Sequence, residues 1–149
     1  MFKIRHYELH PELFYDPDTH LWLRVEGNRA RVGLDPLEQE TRGAFVVIQL
    51  AKPGQKLSRG EAMGTVEAEK YVGSLQAPVS GRVAAVNPAV LTNPRLVNSD
   101  PYGEGWLLEL EMSNFQSERA HLLTGEETLR DWYQAEIRKY EDWGWLAES

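Results

Sequence analysis

The sequence predicts a mainly β protein in which two antiparallel sheets pack as a sandwich or flattened barrel, with a short internal helix and C-terminal helices. Two observations predict the sheets: short runs of alternating apolar and polar residues, and turns containing Gly or Pro between these runs. A third observation, apolar residues at helical spacing in the tail, predicts the helical end. A length of 149 residues suits one domain with one core.

The first clear element is a hairpin centred on the turn Glu26-Gly27-Asn28. Alternation on both sides of this turn predicts two strands that share one buried face. The apolar positions of the two strands are Leu21, Leu23 and Val25, followed by Ala30, Val32 and Leu34.

A short helix is predicted over residues 36–42. Asp35 is a good N-cap, Pro36 suits the first helical position, and Glu38 completes a capping box. Gly43 lies where a helix commonly stops.

The rest of the sandwich is predicted from further short runs. A β-branched and aromatic run, Ala44–Leu50, predicts a more buried strand. Further strands are predicted at Ala62–Glu67, Gly73–Gln76, Gly81–Val86 and Trp106–Met112. The region 87–105 is rich in Asn, Pro and Gly and is predicted to be a loop.

The tail begins with Thr124-Gly125-Glu126-Glu127, which has the form of a capping box. Apolar residues then recur at helical spacing up to Gly144; they are Leu129, Trp132, Tyr133, Ile137 and Tyr140. This stripe either packs on the sandwich or docks a partner. Trp143 and Trp145 leave both interpretations open.

Composition excludes several functions. The formal net charge is −7, which disfavours a nucleic-acid partner. The absence of Cys excludes disulfides, thiolate metal sites and cysteine nucleophiles, and His6, His10 and His121 lack paired metal-ligand spacing, so no metal is expected. No apolar run is long enough to span a membrane and Met1–His10 lacks a signal-peptide pattern, so a cytoplasmic protein is expected. No nucleophile–base arrangement stands out, so an enzyme is not expected.

The most informative segment surrounds Lys70. Two short predicted strands flank this lysine, which falls at a predicted turn and is therefore expected to be accessible. The turns Pro53-Gly54 and Ser80-Gly81 lie on either side. A lone lysine is usually only a solvated surface residue, but this context is similar to lipoyl and biotinyl carrier domains. The acidic pattern from Glu67 to Lys70 resembles the lipoyl type.

The resemblance extends over residues 14–112 and is specific to the H-protein family of the glycine cleavage system. It rests on segments in the same order as in that family: Phe14–Leu23, Val32–Leu34, Gly43–Val46 and Leu96–Trp106. The resemblance implies the hammerhead fold of carrier domains. It divides the chain into an N-terminal extension (1–13), the lipoyl domain (14–112) and a C-terminal helical extension packed on that domain (113–149).

The resemblance also implies a carrier function. Lipoate amide-linked to Lys70 would act as a swinging arm that shuttles an intermediate between enzymes. Glu67, Glu69 and Tyr71 would form the recognition context for lipoate ligase or for lipoyl synthase and transferase. A monomer working with the enzymes of a multi-enzyme system is expected.

Three positions depart from the glycine-cleavage pattern. In that family polar residues are associated with a cleft that receives the arm; the corresponding positions here are Leu21, Thr41 and Ser74, and both carboxylates are gone. His20 either lines this cleft or is a packed hairpin residue. We therefore expect a lipoate-binding protein that works with a heterodisulfide-reductase-like complex in sulfur oxidation. The alternatives are a glycine cleavage H protein carrying the aminomethyl group, with the changes as family drift, and a scaffold without lipoate.

Overall fold

The computed structural model of the chain describes residues 1–146, and the last three residues of the predicted C-terminal extension lie outside this range. Within it the strands are β1 (Phe2–Ile4), β2 (Tyr7–Leu9), β3 (Phe14–Tyr15), β4 (Leu21–Glu26), β5 (Arg29–Leu34), β6 (Phe45–Leu50), β7 (Lys56–Leu57), β8 (Ala62–Ala68), β9 (Tyr71–Gln76), β10 (Gly81–Val86) and β11 (Leu108–Met112). The helices are α1 (Pro36–Arg42), α2 (Pro88–Thr92), α3 (Leu96–Ser99), α4 (Phe115–Glu118) and α5 (Glu126–Asp142), with a 3₁₀ turn at Arg119–His121.

Two antiparallel sheets form the body, as the sequence predicts. One sheet has the order β3-β4-β5-β11-β10-β7 and the other the order β6-β8-β9. Side chains from both sheets meet in one buried cluster, which includes Leu21, Val32, Val66, Leu75 and Leu110. The apolar residues that alternate with polar ones along the strands therefore form a core between the sheets.

The prediction of one buried face for the β4–β5 hairpin is wrong. Trp22 points away from the inter-sheet core, yet it is also fully buried. It lies over Gly33, its cross-strand partner on β5, where an added Cβ would lie 2.4 Å from the indole ring. The second face is buried because further elements cover it.

Those elements are the hairpin of β1 and β2 and the long helix α5. Buried side chains of this second cluster include Phe2, Leu9, Leu129, Tyr133 and Ile137. The apolar stripe of α5 thus packs on the sheets. Of the two interpretations of this stripe, packing on the sandwich is the one that the structure shows. The N-terminal strands have only three residues each, too short for an alternating pattern to reveal them. The division at residues 13 and 113 stays a prediction.

Other local predictions need correction. The 87–105 loop contains the short helices α2 and α3. Strand β6 is half exposed, with Val46 63% accessible, because the outer face of its sheet is uncovered. Thr124 does not cap α5; its hydroxyl donates to the carbonyl oxygens of Pro11 and Leu13, and Gly125 takes the N-cap position. None of the helices within residues 1–146 has the length and apolarity to cross a membrane.

Candidate functional site

Lys70 lies at the tip of the β8–β9 hairpin and is exposed. Ala68 pairs with Tyr71, so Glu69 and Lys70 form a two-residue connection. Such connections usually use residues with positive φ, but neither of these has one. The tip therefore depends on contacts from outside the hairpin.

Three hydrogen bonds join this tip to the end of α1. The amide of Lys70 donates to the Arg42 carbonyl at 2.9 Å, and the amide of Glu69 donates to the Ala44 carbonyl at 3.1 Å. The Glu69 carboxylate in turn accepts from the Ala44 amide at 2.7 Å. Gly43 allows this approach because its φ is +81° and a Cβ there would meet the Glu69 side chain at 2.9 Å. The backbone carrying Lys70 is thus fixed although its side chain is exposed.

A cleft of about 490 Å³ opens beside Lys70. Its lining residues come from α1, the hairpin tip and the chain after α5: Glu38, Thr41, Arg42, Lys70, Tyr71, Gly144 and Trp145. Glu38, Thr41 and Arg42 share one face of α1 because they are spaced three and four residues apart. Of the predicted cleft residues, only Thr41 lines this cleft.

The Arg42 side chain organises the floor of the cleft. Its Nη2 lies 3.1 Å from Oε1 of Glu38, and its guanidinium lies 4.1 Å from the centre of the Tyr71 ring. The Tyr71 hydroxyl donates to the carbonyl oxygen of Ser74 at 3.2 Å. Tyr71 therefore builds the cleft wall in addition to any role in recognition. Nη1 of Arg42 is buried and has no acceptor among residues 1–146.

The far wall is formed where α5 ends. Gly144 has a φ of +75°, its amide donates to the Glu141 carbonyl at 2.9 Å, and the Trp145 amide donates to the Tyr140 carbonyl at 2.9 Å. This pair of bonds is a Schellman motif, which reverses the chain at a helix end. The rings of Trp145 and Tyr140 pack at 5.1 Å between centroids, the apolar contact that accompanies this motif.

His20 is a packed residue and does not line the cleft. It is 2% exposed, and its ring nitrogens lie 2.6 Å from Oδ2 of Asp35 and 2.8 Å from Oε1 of Glu136. Burial opposes the charge, but the attraction and hydrogen bond of Asp35, together with Glu136, raise the pKa of His20 to about 10. Burial likewise opposes the charge of Glu136, but hydrogen bonds from His20 and Lys139 lower its pKa.

The other predicted site residues lie apart from the cleft. Leu21 is fully buried in the core between the sheets. Ser74 and Glu67 both lie in a separate shallow depression on the β8–β9 hairpin, where the Ser74 hydroxyl accepts from the Gln76 amide at 2.6 Å. The departures from the glycine-cleavage pattern at Leu21 and Ser74 therefore do not change which side chains line the cleft at Lys70.

Glu38, Arg42 and Trp145 also line the cleft, although the sequence did not predict them as cleft residues. The spacing of Glu38 and Arg42 on one helix face was a usable signal, whereas the placement of Trp145 depends on how α5 packs. Among the described residues no group of three or more His, Asp or Glu side chains is placed to hold a metal ion.

Comparison with known proteins identifies relatives over most of the chain. The family model described as glycine cleavage H-protein matches residues 13–135. The glycine cleavage system H protein of Carboxydothermus hydrogenoformans is 42% identical over 72% of this chain and 82% of its own length. That of Rubrobacter xylanophilus is 44% identical over 75% of this chain and 86% of its own.

Solved structures agree with the sequence relatives. The crystal structure of a glycine cleavage system H protein from Mycobacterium marinum superposes with a TM-score of 0.69 at 32% identity, covering 83% of this chain and 98% of that one. These findings favour glycine cleavage and give no support to the expected sulfur-oxidation branch. The chain belongs to the glycine cleavage H-protein family, whose members are carrier subunits with lipoate bound covalently to a lysine and are not catalysts.

Proposed function

We propose that this chain is the lipoyl carrier of a glycine cleavage system and that lipoate is attached to Lys70. The observation that carries the proposal is the position of Lys70, exposed at a hairpin tip whose backbone is held by α1. An exposed amine on a fixed backbone suits both loading by a ligase and presentation to an enzyme. When bound, lipoate supplies a disulfide that accepts two electrons and a thiol that carries the transferred group.

The residues around Lys70 fit such an arm. The cleft is within the range of about 300–1,000 Å³ typical of small-molecule pockets. Tyr71 and Trp145 provide aromatic surface for the apolar part of the arm. The Arg42 guanidinium packs over the Tyr71 ring, and its Nη1 has no acceptor among residues 1–146, so it has a hydrogen left to donate.

An acceptor position in the cleft suits the amine of the aminomethyl cargo. Glu38 supplies a carboxylate even though the three expected polar positions are changed. Arg42 donates to it from Nε and Nη2, and the Tyr140 hydroxyl donates to it at 2.8 Å. A carboxylate has about four acceptor positions. One therefore stays open to a cationic amine, and we propose that Glu38 fulfils this role.

The recognition residues divide into two roles. Glu69 is engaged with the backbone of Ala44, so its carboxylate supports the tip. Glu67 is exposed on β8 and is the acid we assign to ligase recognition. We further propose that the protein is a cytoplasmic monomer, loaded by lipoate ligase or by lipoyl synthase and transferase, and that it works with the other enzymes of glycine cleavage.

Lipoylation of Lys70 can be tested by mass spectrometry. Incubation with lipoate ligase, ATP and lipoate should add one lipoyl group to the wild-type protein, and peptide mapping should place it on Lys70. Lys70→Arg should gain no mass because a guanidinium forms no such amide. Lys56→Arg, a second lysine exchange on β7, is the matched control and should load normally.

Loading of Lys70→Arg at another lysine would contradict the assignment. Absence of any loading in the wild-type protein, with the ligase active on a known acceptor, would favour the scaffold without lipoate.

A further inference from the structure

Trp145 stands out because it lines the cleft at Lys70 yet lies beyond residues 13–135, the part matched by the family model. Trp145 is 50% exposed, and its neighbour Trp143 is 54% exposed. Large exposed aromatic side chains that cluster commonly mark a binding surface. The two indoles are 4.7 Å apart between ring centroids, so they form one aromatic patch, of which Trp145 faces the cleft.

The position of Trp145 is set by the end of α5 and not by a loose tail. The Schellman motif at Gly144 reverses the chain, and Tyr140 packs against the Trp145 ring. Tyr140 is itself anchored, because its hydroxyl donates to Glu38 on the opposite side of the cleft. The wall that Trp145 forms is therefore connected to the floor that α1 provides.

We propose that Trp145 is a binding residue for the lipoyl arm of the same molecule, holding the dithiolane end of the arm in the cleft between transfers. This inference rests on the proposed function, since it needs lipoate on Lys70. Lys70, which would carry the arm, lines the same cleft as Trp145, so the attachment point of the arm and the indole ring border one cleft. Sulfur atoms pack favourably against aromatic rings, and the acyl chain gains from leaving water.

The occupant is an apolar, sulfur-containing chain tethered within the molecule. A tethered ligand needs little intrinsic affinity, because its effective concentration at the cleft is high. A half-exposed ring that holds the arm weakly suits a carrier, since the arm must leave the cleft whenever a partner enzyme docks. Trp145 thus protects the dithiolane at rest without trapping it.

The test measures how accessible the dithiolane is in the fully lipoylated chain. A water-soluble phosphine reduces the disulfide to two thiols and is itself oxidised to the phosphine oxide with an oxygen from water. Trp145→Ala should accelerate this reduction about two- to tenfold, the range expected for losing a sulfur–aromatic contact. Trp145→Phe should keep most of the protection, and Trp143→Ala should have a smaller effect than Trp145→Ala.

Equal reduction rates for Trp145→Ala and wild type would overturn the inference, as would an equal acceleration by Trp143→Ala. A second measurement avoids mutation altogether. On lipoylation of ¹⁵N-labelled wild-type protein, the indole N–H signal of Trp145 should shift. That of Trp22, which is buried and donates to the Pro101 carbonyl at 3.2 Å, should not.

The mass of the loaded protein separates the two proposals. A protein that gains no lipoyl group contradicts the proposed function and removes the occupant of the cleft. A protein that is lipoylated on Lys70 but shows an unchanged Trp145 signal contradicts only the role of Trp145.

Discussion

At the scale of single residues, His20 connects three parts of the molecule. It precedes β4, it contacts Asp35 at the start of α1, and it contacts Glu136 on α5. Its φ of +62° is unusual for a residue other than Gly and places the ring between these two acids. Because both ring nitrogens face carboxylates, the charged imidazolium is the form that the folded protein stabilises.

This pairing predicts a dependence of stability on pH. The pKa of His20 is raised from its ordinary value of 6.5 to about 10, so the folded protein keeps a proton that the unfolded chain releases. The stabilisation is fully present below pH 6.5 and is lost as pH rises towards 10, at up to about 1.4 kcal/mol per pH unit. Urea unfolding from pH 6 to 10 measures this slope.

His20→Asn is the informative variant because Asn tolerates a positive φ. It should be less stable than wild type at pH 6 and should lose the slope attributed to His20. His121→Asn, at an exposed histidine, is the control and should keep the wild-type profile. A slope that survives in His20→Asn would show that other groups cause it.

At the scale of elements, the relation between α1 and the β8–β9 hairpin determines the site. Helix α1 begins with an Asp35 side chain that accepts from the Glu38 amide at 2.9 Å, and its C-terminal end receives the amides of the hairpin tip. The same helix presents Glu38 and Arg42 to the cleft. A single seven-residue helix therefore fixes the attachment point and supplies the polar groups beside it.

The hydrogen bonds between the hairpin tip and the end of α1 predict that substitutions of Glu67 and Glu69, the two acids near Lys70, have different effects. Glu69→Ala removes the acceptor of the Ala44 amide and should reduce protection of that amide from hydrogen exchange about fivefold, the typical value of one hydrogen bond. Glu67→Ala makes the same change of charge on the same hairpin but should leave this protection unchanged. Exchange followed by NMR measures both.

The rate at which the ligase loads each variant with lipoate then shows which acid supports the hairpin tip and which acid the ligase recognises. If the ligase recognises Glu67, the Glu67→Ala variant should be loaded more slowly while its Ala44 amide keeps normal protection from exchange. Equal loss of protection in both variants would contradict the structural role given to Glu69.

At the scale of the whole molecule, local sequence signals predicted where the helices and strands lie better than they predicted which elements pack against each other. The cap, proline and stop residues predicted α1 with its observed bounds, and alternation predicted β10 likewise. The buried surface of Trp22 was not predicted because it is covered by the two ends of the chain. The composition of the cleft was not predicted because it depends on contacts such as that between Tyr140 and Glu38, 102 residues apart.

The same reasoning explains why the sequence pattern pointed to the sulfur-oxidation hypothesis, which the comparisons with known proteins do not support. It assumed that Leu21, Thr41 and Ser74 surround the arm, as a linear comparison suggested. Leu21 is in the core and Ser74 is outside the cleft, while Glu38 brings in a carboxylate. Absence of acids at three sequence positions therefore said little about the charge beside Lys70.

Whether this chain carries the aminomethyl group is tested by exchange of bicarbonate with the carboxyl group of glycine, reconstituted with a glycine decarboxylase from the same organism. The lipoylated wild-type protein should support exchange, and Lys70→Arg should support none. A binding measurement with the decarboxylase must accompany the assay, so that failed docking is recognised. A lipoylated protein that binds the decarboxylase but supports no more exchange than Lys70→Arg would contradict the account.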